Sequence, residues 1–558
     1  EAGWNLVAAE EFWTLRNLLS HGAERYPTES FDQAWMAQIY PDHGFGGFNG
    51  DLTDAVFESK EKEAQILGRA LLNSSVEWIA DHATPVSPGK PKLVILNPLS
   101  WERSGPAWVE IPTPVNQDAV VKDANGKVLT AQHVPQAAGG TTRYLLETSG
   151  IPAVGYATFA VEYKPRATAA PAPEQFKTKV FENDFYRLEF VPGGLKSIYD
   201  KQLGKELLKP DSFLAGEVFM LDSVGWDAHE EGDFQHPSWK KIEKASQYQP
   251  SWRLIESGPV STGWKMEQPF KQATIALEVY AYQHTKRLDF DAQILHWSGE
   301  KNKEFRMAFP ADIPGGHVAY EVPYGVLEVN KDEIAGIPFQ GWYSRPAREL
   351  HPREVQDWIS VSDGKTCIMV SSSVAVWDYL DSEEKNDRLT LLQPILLASR
   401  RSVHGLGNWY LQKGDHSYHF SLTSFAGDWR NNVRFGNEVN GPFPAAVVPA
   451  NGPAPSIPAS VSLCTVSQPN YIVSDIKIAD NKQGLIVRGY EITGRDSEVT
   501  LKFPFEVQRA NATNLIEEDL GTAPQTSGGE VRIKAAKRSI DAYRVQGQWK
   551  VPGPSGGN

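Results

Sequence analysis

The hydrophobic period changes once along this chain, and that change decides its fold class. Up to about residue 84 apolar side chains recur every three or four positions; from Leu93 onward they fall in short alternating runs. A period near 3.6 lines one face of a helix, and a period of two lines one face of a strand. Residues 5–20 place Leu6, Phe12, Leu15, Leu18 and Leu19 on one helical stripe, which breaks at His21-Gly22 and Tyr26-Pro27. Thr28 or Ser30 is positioned to cap a second helix carrying Phe31, Trp35 and Ile39, and Pro41 ends it. Asp51 reads as the cap of a long third helix with Leu52, Val56, Phe57, Ala64, Leu67, Leu71 and Trp78 largely on one face. Three such helices joined by short loops predict an antiparallel bundle.

The run Thr84-Pro85-Val86-Ser87-Pro88-Gly89-Lys90-Pro91 closes the helical part. Beyond it, Val94-Ile95-Leu96, Ala107 to Ile111 and Tyr144-Leu145-Leu146 read as strands between Pro, Gly and Asn turns. After the Ala- and Pro-rich stretch 167–173, Tyr186 to Phe190 alternates, Pro192-Gly193-Gly194 turns, and Leu195 to Tyr199 returns as a hairpin partner. Strand patterns continue to about residue 427 without a helix; residues 441–458 read as a third linker and 460–545 as a last sandwich. The expected fold is mainly β with an N-terminal three-helix bundle. It divides into a bundle at 1–84, a small β-domain at 88–166, a large β-sandwich at 174–440 and a C-terminal β-sandwich at 459–547.

A chain of 558 residues is too long for one core. Its net charge of −14 argues against nucleic acid, whose phosphates call for clustered Lys and Arg. No apolar run reaches the length of a membrane span. Two cysteines, Cys367 and Cys464, make no disulfide framework and no zinc knuckle. The low cysteine count and a pI near 5.5 suit a periplasmic or secreted protein better than a cytoplasmic one. Seventeen Trp residues would serve carbohydrate stacking, although large sandwich cores consume them equally well.

One loop stands out chemically. In Asp42-His43-Gly44-Phe45-Gly46-Gly47-Phe48-Asn49-Gly50-Asp51 four of the ten residues are glycine, which lets main chain approach a partner closely. The loop presents imidazole and carboxylate, groups that a zinc or sugar site uses. On spacing alone His43 reads as the residue that satisfies the last carbonyls of the preceding helix. Asp51 reads as a helix cap and Asp42 as a solvated charge. Further along, Trp226 and Asp227 lie in a polar run, 221–233, where an indole could stack on a pyranose and a carboxylate accept a hydroxyl, or where Trp226 packs. His229 to Asp233 with His236 read as an exposed acidic loop, and Trp342, Tyr343 and Arg345 as a groove or a sandwich rim.

Several strand blocks together carry a resemblance. Asn97-Pro98-Leu99-Ser100-Trp101, Asn183-Asp184-Phe185-Tyr186-Arg187 with Gly194 to Lys201, Trp226-Asp227-Ala228, Leu389-Thr390-Leu391-Leu392, Lys413-Gly414-Asp415-His416, Gly427-Asp428-Trp429-Arg430 and Arg488-Gly489-Tyr490-Glu491-Ile492-Thr493-Gly494 are similar, in order, to stretches of glycoside hydrolase family 38, the α-mannosidases. The likeness runs over nearly the whole chain. It implies the family's helical middle domain followed by its β-domains, the large one galactose-mutarotase-like. It implies a zinc ion with one ligand from this chain, His43, and the other ligands from an upstream β/α barrel. It also implies retaining hydrolysis of α-linked mannosides or related glycans by two carboxylates of that barrel. No barrel pattern of about 250 residues occurs in the sequence, so the resemblance assigns this chain no catalytic residue and predicts that alone it is inactive. The family's usual aspartate after the zinc histidine is replaced here by Gly44. Asp42, Asp51, Trp226 and Asp227 are the candidate sugar contacts. The implied partners are a glycan and the chain's own barrel, with a homo-oligomer also compatible. The alternatives are a non-catalytic carbohydrate-binding scaffold and a mutarotase-like or polysaccharide-lyase sandwich.

Overall fold

The computed structural model describes residues 2–40, 51–134, 141–166, 174–224, 236–333, 352–380, 390–401 and 409–548. The chain forms two units: one comprises Glu1–Pro41, Ser59–Pro171 and Gly441–Asn558, the other Asp42–Glu58 and Ala172–Asn440. Every named strand pairing is antiparallel, so neighbouring strands alternate hydrogen-bonded and close pairs along each ladder.

In the first unit, helices α1 (Ala2–Leu19) and α2 (Thr28–Gln38) pack with α3 (Asp51–His82) around Leu6, Ala9, Trp13, Phe31, Ala34 and Leu71. The Trp13 indole donates to the Leu71 carbonyl at 2.9 Å, so the largest side chain of that core leaves no orphan donor. Neither Thr28 nor Ser30 caps α2. Pro27 takes the cap position without a side-chain bond, since a ring that has no N–H gives up nothing at a helix start. Leu52, expected on the apolar face of α3, is 77% exposed.

The rest of that unit is four sheets. Lys92–Asn97 lies between Gly155–Pro165 and Ala445–Val448, and Ser460–Ser462 also joins Gly155–Pro165. The stretch 441–458, expected to be a linker, therefore contains a strand. A short edge strand beside proline needs few ladder bonds and carries too few residues to show a period. Its neighbour α4 (Phe435–Asn440), a helix of six residues in the second unit, lacks a period for the same reason. The side chain of Asn97, fully buried, donates to the carbonyls of Trp101, Ile151 and Pro152 at 2.8–3.2 Å, and its oxygen accepts from Leu99 N. Two four-stranded sheets, one built on Tyr471–Ile478 and Leu485–Glu491 and the other on Ser497–Lys502 and Glu530–Ala535, complete the unit.

The second unit stacks a ten-stranded sheet on a seven-stranded sheet, with a four-stranded sheet beside them. The expected hairpin forms the last of these: Tyr186–Val191 pairs with Gly194–Asp200, turning at Gly193. Gly193 has φ +99°, and a Cβ there would sit 2.6 Å from Ser246 Cα, so no other residue fits. Phe290 of the ten-stranded sheet meets Phe309 of the seven-stranded one edge-on at 5.3 Å, and Phe420 meets Trp377 at 5.8 Å.

The seven-stranded sheet also carries an ionic group on its other face. Arg306 is 1% exposed; its Nε donates to Glu304 Oε1 at 2.6 Å, and Nη1 to Asp378 Oδ2 at 3.0 Å and Gln393 Oε1 at 3.1 Å. Removing the cation takes away an ion pair from each of two buried carboxylates. Arg306→Met is expected to destabilise the second unit by about 3–5 kcal/mol, read by urea unfolding. A loss below about 1 kcal/mol would mean that the group relaxes without its arginine.

Candidate functional site at one end of the seven-stranded sheet

Strand register brings a polar row together at one end of that sheet. Asp222 pairs with Lys303, Lys303 with Ser399, and the next residue, Arg400, with Tyr410. Asp222, Lys303 and Ser399 thus share one face of three neighbouring strands, about 10 Å across at about 4.8 Å per strand, while Tyr410, opposite Arg400, stands on the other face at the same end. Lys303 Nζ lies 2.5 Å from Asp222 Oδ1 and 3.8 Å from Glu300 Oε1. Ser399 Oγ donates to the Glu300 carbonyl at 2.6 Å, fixing the turn that carries Lys301. Lys301 Nζ stands 4.6 Å from the centre of the Trp409 ring. Tyr410 hydroxyl donates to Asp54 Oδ1 at 2.9 Å, a bond across 356 residues.

That last bond gives the row its interest. Asp54 belongs to the first turn of α3, so the helix that starts at Asp51 begins at this sheet end. The strands Glu217–Val224 and His236–Lys244 also run to this end, because Val224 pairs with His236 two residues beyond Asp222. The borders of both segments singled out in the sequence therefore lie at one end of one sheet. The aromatic ring of Trp409 and the half-buried charges of Lys303 and Asp222 at this sheet end are the groups a polyhydroxylated ligand uses, rings stacking on its C–H faces and charges bonding its hydroxyls. The Ser399 hydroxyl, by contrast, is fully buried and serves the turn.

Asp42, His43, Trp226 and Asp227 lie outside the described residues, as do Trp342, Tyr343, Arg345 and the run His229 to Asp233. Asp51 starts α3 and His236 starts a strand, but their side chains also lie outside. Among the described residues no three His, Cys, Asp or Glu side chains gather as a metal site. Asp54 and Asp222 are engaged with Tyr410 and Lys303, so the described side chains do not by themselves make a zinc donor set. Trp409, Tyr410, Lys301 and Lys303 were not singled out from sequence. Their only local signal is an adjacent aromatic pair just before the Lys413-Gly414-Asp415-His416 block.

A second cluster, on the ten-stranded sheet, mimics a catalytic triad. His419 Nδ1 is 2.6 Å from Asp291 Oδ1, and Nε2 is 3.3 Å from Ser421 Oγ. Ser421 is fully buried, and its hydroxyl donates to Asp289 Oδ1 at 2.5 Å. A nucleophile needs its proton directed at the imidazole and a path to substrate, and Ser421 has neither. The group is a cross-strand clamp, since Asp289 pairs with Ser421 and Asp291 with His419 in the ladder. Burial alone would raise the Asp289 carboxyl, but the Arg287 guanidinium and then His419 outweigh it and hold it low. Burial also opposes the His419 cation, yet the Asp291 hydrogen bond and the Asp289 charge raise the imidazole above its ordinary value.

Comparison with known proteins follows this geometry. The family model described as "Glycosyl hydrolases family 38 C-terminal domain" matches residues 181–376, and "Glycosyl hydrolases family 38 C-terminal beta sandwich domain" matches 470–541. The mouse protein Alpha-mannosidase 2C1 is 22% identical over 445 residues, covering 77% of this chain and 37% of its own length. Its human counterpart is 22% identical over 455 residues with the same coverage. The chain thus spans about 37% of the length of these curated relatives. The crystal structure of an α-mannosidase from Enterococcus faecalis superposes with a TM-score of 0.74 at 14% identity, over 98% of this chain and 66% of that one. Sheets and domain models together align this chain with the C-terminal region of α-mannosidase-like proteins. Residues 181–376 and 470–541 are thus similar to C-terminal domains of glycoside hydrolase family 38, and the fold is shared with the Enterococcus faecalis α-mannosidase.

The clamp has a pH signature. With its folded pKa above the unfolded one, His419 contributes its full stability below the unfolded value near 6.5 and loses it as pH rises through the folded value. His419→Gln is therefore expected to cost more stability at pH 6 than at pH 9 in paired urea titrations. An equal cost at both would show that the imidazole clamps only as a neutral ring.

Proposed function

We propose that the chain is the C-terminal portion of a zinc-dependent, retaining α-mannosidase-like glycoside hydrolase that acts on α-linked mannosides or related glycans. The observation that carries this reading is the polar and aromatic row ending in the Tyr410–Asp54 bond. It stands where the two sequence-singled segments leave the described fold, in a chain similar to C-terminal domains of family 38. In this reading His43 supplies one zinc ligand, and Asp42, Asp51, Trp226 and Asp227 contact sugar. The row's own residues hold the helix start and the sheet end in place. Zinc bound there would supply Lewis-acid polarisation and orientation of sugar hydroxyls. The nucleophile, the acid/base carboxylate and the remaining zinc ligands belong to a β/α barrel outside these 558 residues.

The reading is tested by metal analysis of the protein together with its barrel, beside a His43→Ala variant. Stoichiometric zinc in the parent and its loss in the variant are expected; unchanged zinc would return His43 to a helix-end role. A second expectation concerns the 558 residues alone. With an aryl α-mannoside they should release product no faster than a buffer blank, and robust turnover would overturn the assignment of both carboxylates to the barrel.

A further inference from the structure

Helix α1 packs on strand Tyr471–Ile478 of the first unit through Phe12, Leu15 and Leu19, with buried acidic side chains beside this apolar contact. Glu10, Glu11 and Asp475 are 6%, 2% and 7% exposed. Glu10 Oε1 accepts from the Tyr26 hydroxyl at 3.1 Å. Asp475 Oδ2 accepts from Arg488 Nη1 at 2.7 Å, whereas Asp475 Oδ1 and Glu11 Oε2 are buried without a hydrogen-bond partner. Behind them Lys477 Nζ lies 2.9 Å from Glu517 Oε1 and 2.5 Å from the exposed Asp480, and Arg488 lies 3.7 Å from Glu517.

The charges in this seam do not balance. Four buried carboxyls, Glu10, Glu11, Asp475 and Glu517, face two cations, Lys477 and Arg488. Two surplus negative charges out of water would cost far more than the packing returns. A metal ion is not the answer, because no donor cluster forms there among the described residues. Protons are the remaining source of charge: Glu11 Oε2 is buried without a partner and Glu10 is met by a neutral hydroxyl, whereas Asp475 is bonded to Arg488. The other groups facing the seam do not change the count. Tyr26 and Trp35 approach Glu10 as hydrogen-bond donors, and the buried Cys464 lies near Glu11 with its thiol pushed up by burial.

We propose that this seam is a proton-loaded latch, in which Glu10 and Glu11 hold α1 against the C-terminal sandwich while protonated and release it when alkaline pH removes those protons. Burial first, then Asp475, pushes Glu10 up to about 8, against Lys477 and the Tyr26 bond. Burial, then Asp475 and Glu10, pushes Glu11 well above the usual carboxylate range. A carboxyl with a raised folded pKa keeps its proton in the folded state after the unfolded chain has lost its own. Stability therefore declines from the unfolded value near 4.5 up to the folded one. Because Tyr26 and Trp35 also bear on Glu10, α2 is coupled to the same event.

The test is amide hydrogen exchange of the intact chain between pH 6 and 9.5, corrected for the intrinsic pH dependence of exchange. Protection across Ala2–Leu19 is expected to fall at least about tenfold between pH 6 and 8, and to fall less steeply in Glu10→Gln and in Glu11→Gln, each of which leaves one carboxyl to titrate. Glu24→Gln, on an accessible ion pair with Arg16, should track the parent. Tyr26→Phe is a second probe, useful if either Gln variant fails to fold. It removes a bond that favours ionised Glu10 and should move the transition to higher pH. Constant protection in the parent, or an unmoved transition in Tyr26→Phe, would overturn the latch.

Discussion

Burial of one face of each large sheet against the other is the constraint on which the second unit depends. A ten-stranded and a seven-stranded antiparallel sheet each offer alternate apolar side chains, and neither keeps them dry alone. The space between is filled by large rings, with Trp264, Trp297, Trp377, Phe290, Phe309 and Phe420 all at most 2% exposed. Such a core leaves little tolerance for a slip in register, because a shift of one residue would turn every buried side chain outward. Register in turn fixes which polar residues line up at the sheet ends.

The candidate site is a by-product of that packing. Asp222, Lys303, Ser399 and Tyr410 come from sequence positions spread over nearly 190 residues, yet ladder pairing brings them to one sheet end, the first three on one face and Tyr410 on the other. Loops and helix starts meeting at the end of a rigid sheet are a common way to place binding groups, since the scaffold holds them while the connections vary. Clustering of polar groups does not by itself signal catalysis. The Ser421, His419 and Asp291 alignment has triad spacing, but a buried serine hydroxyl bonded to Asp289 makes it a clamp.

Periodicity made much of this legible from sequence. The stripes Leu6 to Leu19 and Phe31 to Trp35 mark α1 and α2, although Ile39, expected on the second stripe, falls just past the helix and is 63% exposed, and the alternation around Pro192-Gly193-Gly194 marks the hairpin. What sequence missed is short or distant. Strand Ala445–Val448 and helix α4 have too few residues to display a period, and proline near the strand suggested a linker. Pro27 rather than a hydroxyl residue opens α2, because the chain there needs a fixed φ more than a side-chain acceptor. At the site, the Asp54–Tyr410 bond joins residues that no local pattern connects. The zinc and sugar contacts rest on family likeness, since Asp42, His43, Trp226 and Asp227 fall outside the described residues.

The strand Ala445–Val448 has a consequence for how the molecule is made. Lys92–Asn97 emerges from the ribosome long before the partner that covers one of its edges, because the whole stretch 172–440 is synthesised between them. Domains fold as units during synthesis, and contacts distant in sequence close late. The first unit can be completed only after the second has been synthesised, and until then Lys92–Asn97 keeps one unpaired edge that invites intermolecular pairing.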